Sequence, residues 1–168
     1  MAKVSKKTFE DDMFNLFDEQ DFVKVEGFIN KYGISETDRD GRNLLMNLII
    51  EGKTAFVIKM LSKNKELDLN QHDKNGWGAL HFAVSEGNLK IVDALIKNGA
   101  EVDIQEENGN TPLWRGMSDT VDETIIIKLL ESGANLTKKN KHGVPPKNFL
   151  DDSLPKTKKW IKENIKKK

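Results

Sequence analysis

Asp73-Lys74-Asn75-Gly76-Trp77-Gly78-Ala79-Leu80-His81-Phe82-Ala83 is the stretch on which the reading of this chain turns. A glycine in a polar tip is followed at once by a short apolar run. Gly87 interrupts that run, and Leu89, Ile91, Val92, Leu95 and Ile96 then lead to Gly99-Ala100. Apolar residues three and four apart line one face of a helix. A glycine just after such a run suits a helix stop. The unit therefore reads as turn, short helix, turn, amphipathic helix.

The same unit recurs on both sides. Downstream, Glu107-Asn108-Gly109-Asn110-Thr111-Pro112-Leu113-Trp114 leads through Ile125, Ile126, Ile127, Leu129 and Leu130 to Gly133-Ala134. Upstream, Arg39-Asp40-Gly41-Arg42-Asn43-Leu44-Leu45-Met46 leads through Gly52 to Phe56, Val57, Met60 and Leu61. A fourth tip is Lys141-His142-Gly143-Val144-Pro145-Pro146. The tip glycines Gly41, Gly76, Gly109 and Gly143 lie 35, 33 and 34 residues apart. Thr111 ahead of Pro112 suits a helix cap with proline in the first turn. One such helix pair cannot bury its apolar face alone, whereas stacked neighbours can.

This period, with its Thr-Pro-Leu stretch, resembles the ankyrin repeat, a unit of about 33 residues. The resemblance covers Phe9 to Ile165 and rests most firmly on the two middle units. It implies an all-α solenoid of stacked helix-turn-helix units with β-turn tips, four to five repeats including degenerate caps. The expected units are 8–37 as N-terminal cap, 38–70, 73–105, 106–139, and 140–168 as C-terminal cap. Departures are visible. Leu44 and Met46 replace the proline and histidine of the first full unit, whose outer helix ends at Asn64. Gly78 replaces the capping threonine of the second. The third carries an insertion around Ser118 to Asp122.

The ends read as caps with a polar outer face. Phe9, Phe14, Leu16, Phe17, Phe22, Val25, Phe28 and Ile29 form two amphipathic runs among Glu10, Asp11, Asp12, Asp18, Glu19 and Asp21. At the other end, Leu154, Ile161 and Ile165 are expected to share one stripe beside Trp160. From Lys156 to Lys168 seven lysines face one glutamate, a net +6, so the remaining chain carries −6.

The composition narrows the chemistry. There are no cysteines, so disulfides, zinc-thiolate sites and cysteine nucleophiles are excluded. Charged residues make up 32% of the 168 and the apolar set 37%, without an apolar run of about 18 residues that would span a bilayer. The basic start, Met1 to Lys7, has no apolar stretch behind it, so no secretory leader is expected and the location expected is cytoplasmic. His81 stands at the histidine position of the motif and is expected to pack within the repeat. His72 and His142 sit in tips. Asp11-Asp12 and Asp151-Asp152 border helices, where acidic residues are ordinary. Gly76-x-Gly78 lacks the third glycine of a dinucleotide fingerprint. No catalytic constellation, cofactor site or metal-ligand spacing is read, and the chain is not expected to be an enzyme.

A binding surface remains. Ankyrin arrays bind proteins through the tips and the concave face of the first helices. The resemblance carries this onto Arg42, Trp77 and Asn110 after the tip glycines, Asn47, Phe82 and Arg115 after the motif histidine position, and Trp114 at that position. Trp and Arg are enriched at interface hot spots. Trp77 is unexpected where the family carries an exposed polar residue. Glu36, Asp38 and Asp40 lie near the first tip, Asp103, Glu106 and Glu107 near the third, and Lys138, Lys139 and Lys141 at the fourth, a charge gradient that would orient a partner.

The expected function is a protein-protein interaction module, monomeric when free, that binds and inhibits or shields a partner. A Lys-, Asn- and Ile-rich composition suggests an AT-rich bacterial source, where small ankyrin proteins resemble immunity or self-protection proteins covering a toxin or enzyme. The alternative is an adaptor or tether whose basic C-terminal segment contacts nucleic acid or anionic membrane. The apolar residues of that segment favour a cap, so neither is expected as the main partner.

Overall fold

The computed structural model describes residues 6–17, 21–119 and 122–165, with side chains from Phe9 onward. Asp18 and Glu19 of the N-terminal acidic set, Thr120 and Val121 of the insertion, and the last three lysines lie outside the described residues. The helices come in pairs. They are α1 (Lys6–Phe17) with α2 (Phe22–Tyr32), α3 (Leu44–Ile50) with α4 (Thr54–Lys63), α5 (Ala79–Ser85) with α6 (Leu89–Lys97), and α7 (Pro112–Ser118) with α8 (Glu123–Glu131). A 3-10 turn, Pro146–Phe149, and α9 (Pro155–Asn164) close the series. The array is all-helical; its β content is one isolated antiparallel bridge among the described residues, Thr37 to Asn43.

Two layers result. The short helices α3, α5 and α7 and the 3-10 turn pack on one another in chain order; α4, α6, α8 and α9 stack behind them. Between the layers lies the core. Leu45, Leu48 and Ile49 of α3, Ala83 and Val84 of α5, Ile91, Val92 and Leu95 of α6, Leu113 of α7, and Ile125, Ile126 and Leu129 of α8 are fully buried. The helical spacing read from the sequence therefore falls on the inward stripe, apart from Leu89, which is exposed at the start of α6. Each short helix starts at a distinct cap. Asn43 Oδ1 accepts the Met46 N–H at 3.0 Å, and Thr111 Oγ1 accepts the Trp114 N–H at 3.1 Å. Gly78 has no side chain to offer, and the His81 ring reaches back to accept the Gly78 N–H at 3.2 Å.

The four tips share one construction. An acid or amide leads each: Asp38, Asp73, Glu106 and Asn140, all buried. Its side chain accepts two backbone N–H groups of its own turn, for instance Asn75 and Trp77 on Asp73 Oδ1, both at 2.8 Å. Consecutive tips are then joined by one backbone bond each: Lys74 N–H to Asp40 O at 2.9 Å, Glu107 N–H to Asn75 O at 3.0 Å, and Lys141 N–H to Asn108 O at 2.9 Å. This close approach explains the glycines. Gly76 has φ +78°, and a Cβ placed there would sit 2.7 Å from the Glu107 nitrogen. Gly143 has a similar φ of +76° but no neighbour within 4 Å, because no further described tip follows it. Backbone conformation alone accounts for the last tip glycine, and conformation plus contact for the inner ones.

The ends differ from expectation in three places. Glu10 was read as part of a polar outer face. It is 7% exposed, and its carboxylate accepts the Arg39 backbone N–H at 2.8 Å and the guanidinium at 3.1 and 2.7 Å, tying α1 to the first tip. Phe14 was read with the apolar run but is 54% exposed, while Phe9 packs on Phe28 and Tyr32. In α9 the stripe stops short. Leu154 is buried and Ile161 half-buried, but Ile165 lies beyond the last helical residue and is exposed. The last inner element is a single 3-10 turn, with Pro145 at its N-cap and Pro146 as its first residue.

Candidate functional site

One continuous run of aromatic and guanidinium groups crosses the tips and the inner layer. The Arg42 guanidinium lies over the Phe82 ring at 5.5 Å. Phe82 meets Trp77 at 5.1 Å between centroids. The Arg115 guanidinium lies over Trp77 at 4.8 Å and reaches Trp114 at 5.9 Å. Trp114 meets Phe149 edge-on at 5.0 Å. Helix registers and tip geometry bring this about. Arg42 and Trp77 follow tip glycines, Phe82 lies on α5, Trp114 and Arg115 on α7, and Phe149 in the 3-10 turn. Ring-to-ring and cation-to-ring contacts of this kind hold large side chains in place.

The residues expected to meet a partner divide into two groups. Arg42, Trp77, Trp114 and Arg115 are half-buried, each with part of its surface open to solvent. Asn47, Phe82 and Asn110 are buried at 8%, 7% and 5% exposure. The Asn47 amide donates to Asp38 Oδ2 at 3.0 Å and to the Asn43 carbonyl at 3.1 Å, which locks the first tip to α3. Asn110 accepts from the Asn140 amide at 2.7 Å, and its own N–H goes to Glu106 Oε1 at 3.0 Å. These three support the surface from beneath instead of forming it. Phe149 was absent from the sequence-based set. Its approach to Trp114 depends on the short 3-10 turn Pro146–Phe149 packing against α7, and a single turn is too short for apolar periodicity to mark it.

Several donors on the run lack acceptors. The Trp114 indole N–H and the Arg115 Nε are shut off from solvent and make no hydrogen bond among the described residues. Arg42 Nε sits 3.7 Å from Asp73 Oδ2, an ion pair too long for a hydrogen bond. A buried donor without a partner costs on the order of 1–3 kcal/mol, so these groups are held by stacking at some expense.

The tip charges also differ from their reading as a surface gradient. Asp38, Asp73 and Glu106 face inward onto backbone N–H groups. Asp103 accepts the Asn135 N–H at 3.0 Å, and Lys138 Nζ donates to the Asp103 carbonyl at 2.8 Å. On the second to fourth tips the exposed charges are Lys74, Glu107, Lys139 and Lys141, and the 3-10 turn adds Lys147; exposed Glu86 and Asp119 lie at the opposite, C-terminal ends of α5 and α7. Glu36 and Asp40 stay exposed at the first tip.

His81 is the buried titratable group beside this run. Its Nε2 lies 3.1 Å from the Asn110 carbonyl, while Nδ1 takes the Gly78 N–H. That pattern requires the neutral ring protonated on Nε2. Burial pushes its pKa down to about 4, against the raising effect of the bond to Asn110. The ring joins the second and third units and has no solvent access, which suits a structural role. Elsewhere, a depression of about 500 Å³ between α2 and α4 is lined by Phe22, Lys53, Phe56 and Lys59. No cluster of acidic or histidine side chains able to hold a metal occurs among the described residues. No described helix is long and apolar enough to cross a membrane.

The family model for ankyrin repeats in three copies matches residues 19–106 and 66–140. The chain belongs to the ankyrin-repeat family. It is 34% identical over 108 residues to mouse protein phosphatase 1 regulatory subunit 27, spanning 64% of this chain and 69% of that protein. It is 33% identical over 107 residues to rat ankyrin repeat and SAM domain-containing protein 6, spanning 63% of this chain and 12% of the relative. A probable serine/threonine-protein kinase of Dictyostelium discoideum shares 32% over 98 residues, 56% of this chain and 10% of the kinase. In the last two, the chain thus spans about a tenth of the relative's length. The family makes the chain a protein-protein interaction module.

Proposed function

We propose that this chain is a non-catalytic binding subunit that holds a partner protein on the face made by its tips and inner helices, and inhibits or shields it. The observation that carries the reading is the Arg42–Phe82–Trp77–Arg115–Trp114 run. It offers large, half-buried, pre-ordered side chains, the kind on which interface energy concentrates. Their order is set by stacking, so little rotamer freedom is left to lose on binding. An enzyme as the partner is the finer form of the proposal. Similarity to a protein named as a phosphatase regulatory subunit supports it. A toxin is one such enzyme.

The test is capture from source-cell extract on the full chain and on a Trp77→Ala, Arg115→Gln double variant, followed by assay of the captured protein. Retention by the parent chain alone, with lowered activity of the retained enzyme, is expected. Equal retention by both chains would overturn the assigned face. An enzyme whose activity is untouched would remove inhibition from the proposal and leave binding.

Exposed Lys156, Lys159 and Lys162 on α9 favour a second reading, the adaptor with a basic contact. Against it, Leu154 and Thr157 of this segment are buried, and the Thr157 N–H donates to Glu123 of α8 at 2.6 Å. Removal of residues 156–168 separates the two. Loss of the cooperative unfolding transition identifies a cap. A stable array that loses salt-sensitive binding identifies a tether.

A further inference from the structure

We infer that the partner places a carboxylate, from an extended acidic segment, on the Arg115 guanidinium in the groove between the second and third tips. The inference rests on the binding face proposed above and adds the chemistry that face selects. Arg115 has no hydrogen bond and no ion pair among the described residues, although it is half-buried. Its contacts are the faces of Trp77 and Trp114, at 4.8 and 5.9 Å. A guanidinium held by ring faces keeps its terminal N–H edges for an in-plane acceptor, and a carboxylate matches two parallel donors of that fork.

The surroundings point the same way. The buried acids of the tips, Asp73 and Glu106, are already engaged by backbone N–H groups. On the second to fourth tips themselves, exposed Lys74, Lys139 and Lys141 face one exposed acid, Glu107; the exposed acids Glu86 and Asp119 lie at the far ends of α5 and α7, away from the tips. An anion arriving over the tips meets mostly complementary charge first and the ordered Arg115 after it. Arg42 cannot serve equally, because Asp73 and Asp40 lie 3.7 and 3.9 Å from it. The Trp77 and Trp114 rings beside Arg115 would cover the aliphatic part of an aspartate or glutamate and exclude water from the pair.

The probe is a randomised twelve-residue peptide library displayed on phage and selected on the full chain. Winners are resynthesised and titrated against the parent, Arg115→Gln, Arg115→Lys and Trp77→Ala chains. Winners are expected to share an Asp or Glu at a fixed position. Replacing that residue by its amide should weaken binding at least tenfold, without any change to the protein. Arg115→Gln should weaken the acidic peptide by a similar factor and leave its amide analogue within threefold, and Arg115→Lys should fall between. Winners without an acid, or an acid whose amide binds equally well, would overturn the carboxylate while Trp77→Ala still weakened them and upheld the face. Winners insensitive to Trp77→Ala and to both Arg115 variants would overturn the face itself. A selection returning no binder would overturn the inference as well.

Discussion

The second and third units have the same length of inner helix and the same tip, yet they use the motif histidine position in opposite ways. His81 in the second unit has no exposed surface, and both ring nitrogens are engaged, one by the start of its own helix and one by the next tip. Trp114 in the third is half-buried, finds no acceptor for its indole N–H among the described residues, and leans on Phe149. One unit uses the position to cap its helix and join repeats through two hydrogen bonds; the other joins them through a ring contact and leaves part of the side chain open. The second unit needs the histidine because Gly78 cannot cap its helix. The third has Thr111 and Pro112 to start its helix, which frees the position.

The bond between these units is where a single change should act most strongly. Gly76→Ala would force a Cβ against the Glu107 nitrogen at positive φ. A loss of about 3–4 kcal/mol is expected in urea unfolding, since strain and a broken tip-to-tip bond combine. Gly143→Ala, with the same backbone sign but open space, should lose only about 1 kcal/mol. Equal losses would show that tip-to-tip contact contributes nothing.

Acid should separate the units next. The folded chain holds His81 near pKa 4, against 6.5 for the ordinary ring. Below pH 6.5 the unfolded chain therefore takes up this proton first. The stability linked to neutral His81 is complete above about pH 6.5 and is lost as pH falls towards 4, a total of about 3 kcal/mol. Urea midpoints of the parent and a His81→Asn chain, measured between pH 7.5 and 4, should converge with falling pH. Parallel curves would show that the ring is not held neutral.

Trp114 tests the other side of the comparison. Trp114→Ala should cost about 2 kcal/mol, less than a fully buried tryptophan, because part of its surface is already open. Trp114→His restores the motif residue and should recover most of that loss in thermal unfolding, through a bond to the fourth tip. It should also weaken the peptides selected above. A histidine variant less stable than the alanine one would refute the view that the position can serve either role.

The smallest effect is at the caps. Thr111→Ala removes the acceptor of the Trp114 N–H and should cost about 1 kcal/mol. Gly78→Ala has no cap to lose and is limited by Ile104 Cδ1, 3.1 Å from the new Cβ. It should stay within about 1 kcal/mol of the parent. Chemical denaturation of the two variants in parallel reads the difference.

The repeat, its register and its layers were legible in the sequence because they are local. Tip glycines, helix stops and apolar stripes are each fixed by the geometry of a few neighbouring residues, and they recur. The Thr111-Pro112 start and the Asn64 stop were readable for the same reason. Burial of individual polar residues was not legible. Asn47, Asn110 and Glu106 look like surface residues in one dimension, and become internal ties only because an adjacent turn supplies the backbone groups that they bind. Glu10 likewise meets Arg39 across 29 residues of chain.

The sequence by itself determined that this chain stacks helix pairs and presents Trp77, Trp114 and Arg115 close to tips. Only the tertiary structure decided that they form one run, that Phe149 ends it, and that Arg115 meets no anion among the described residues. The reason is physical. Periodicity states which face of each helix is buried, whereas an acceptor for a guanidinium comes from whichever element packs against it, and here the elements that pack against it are rings.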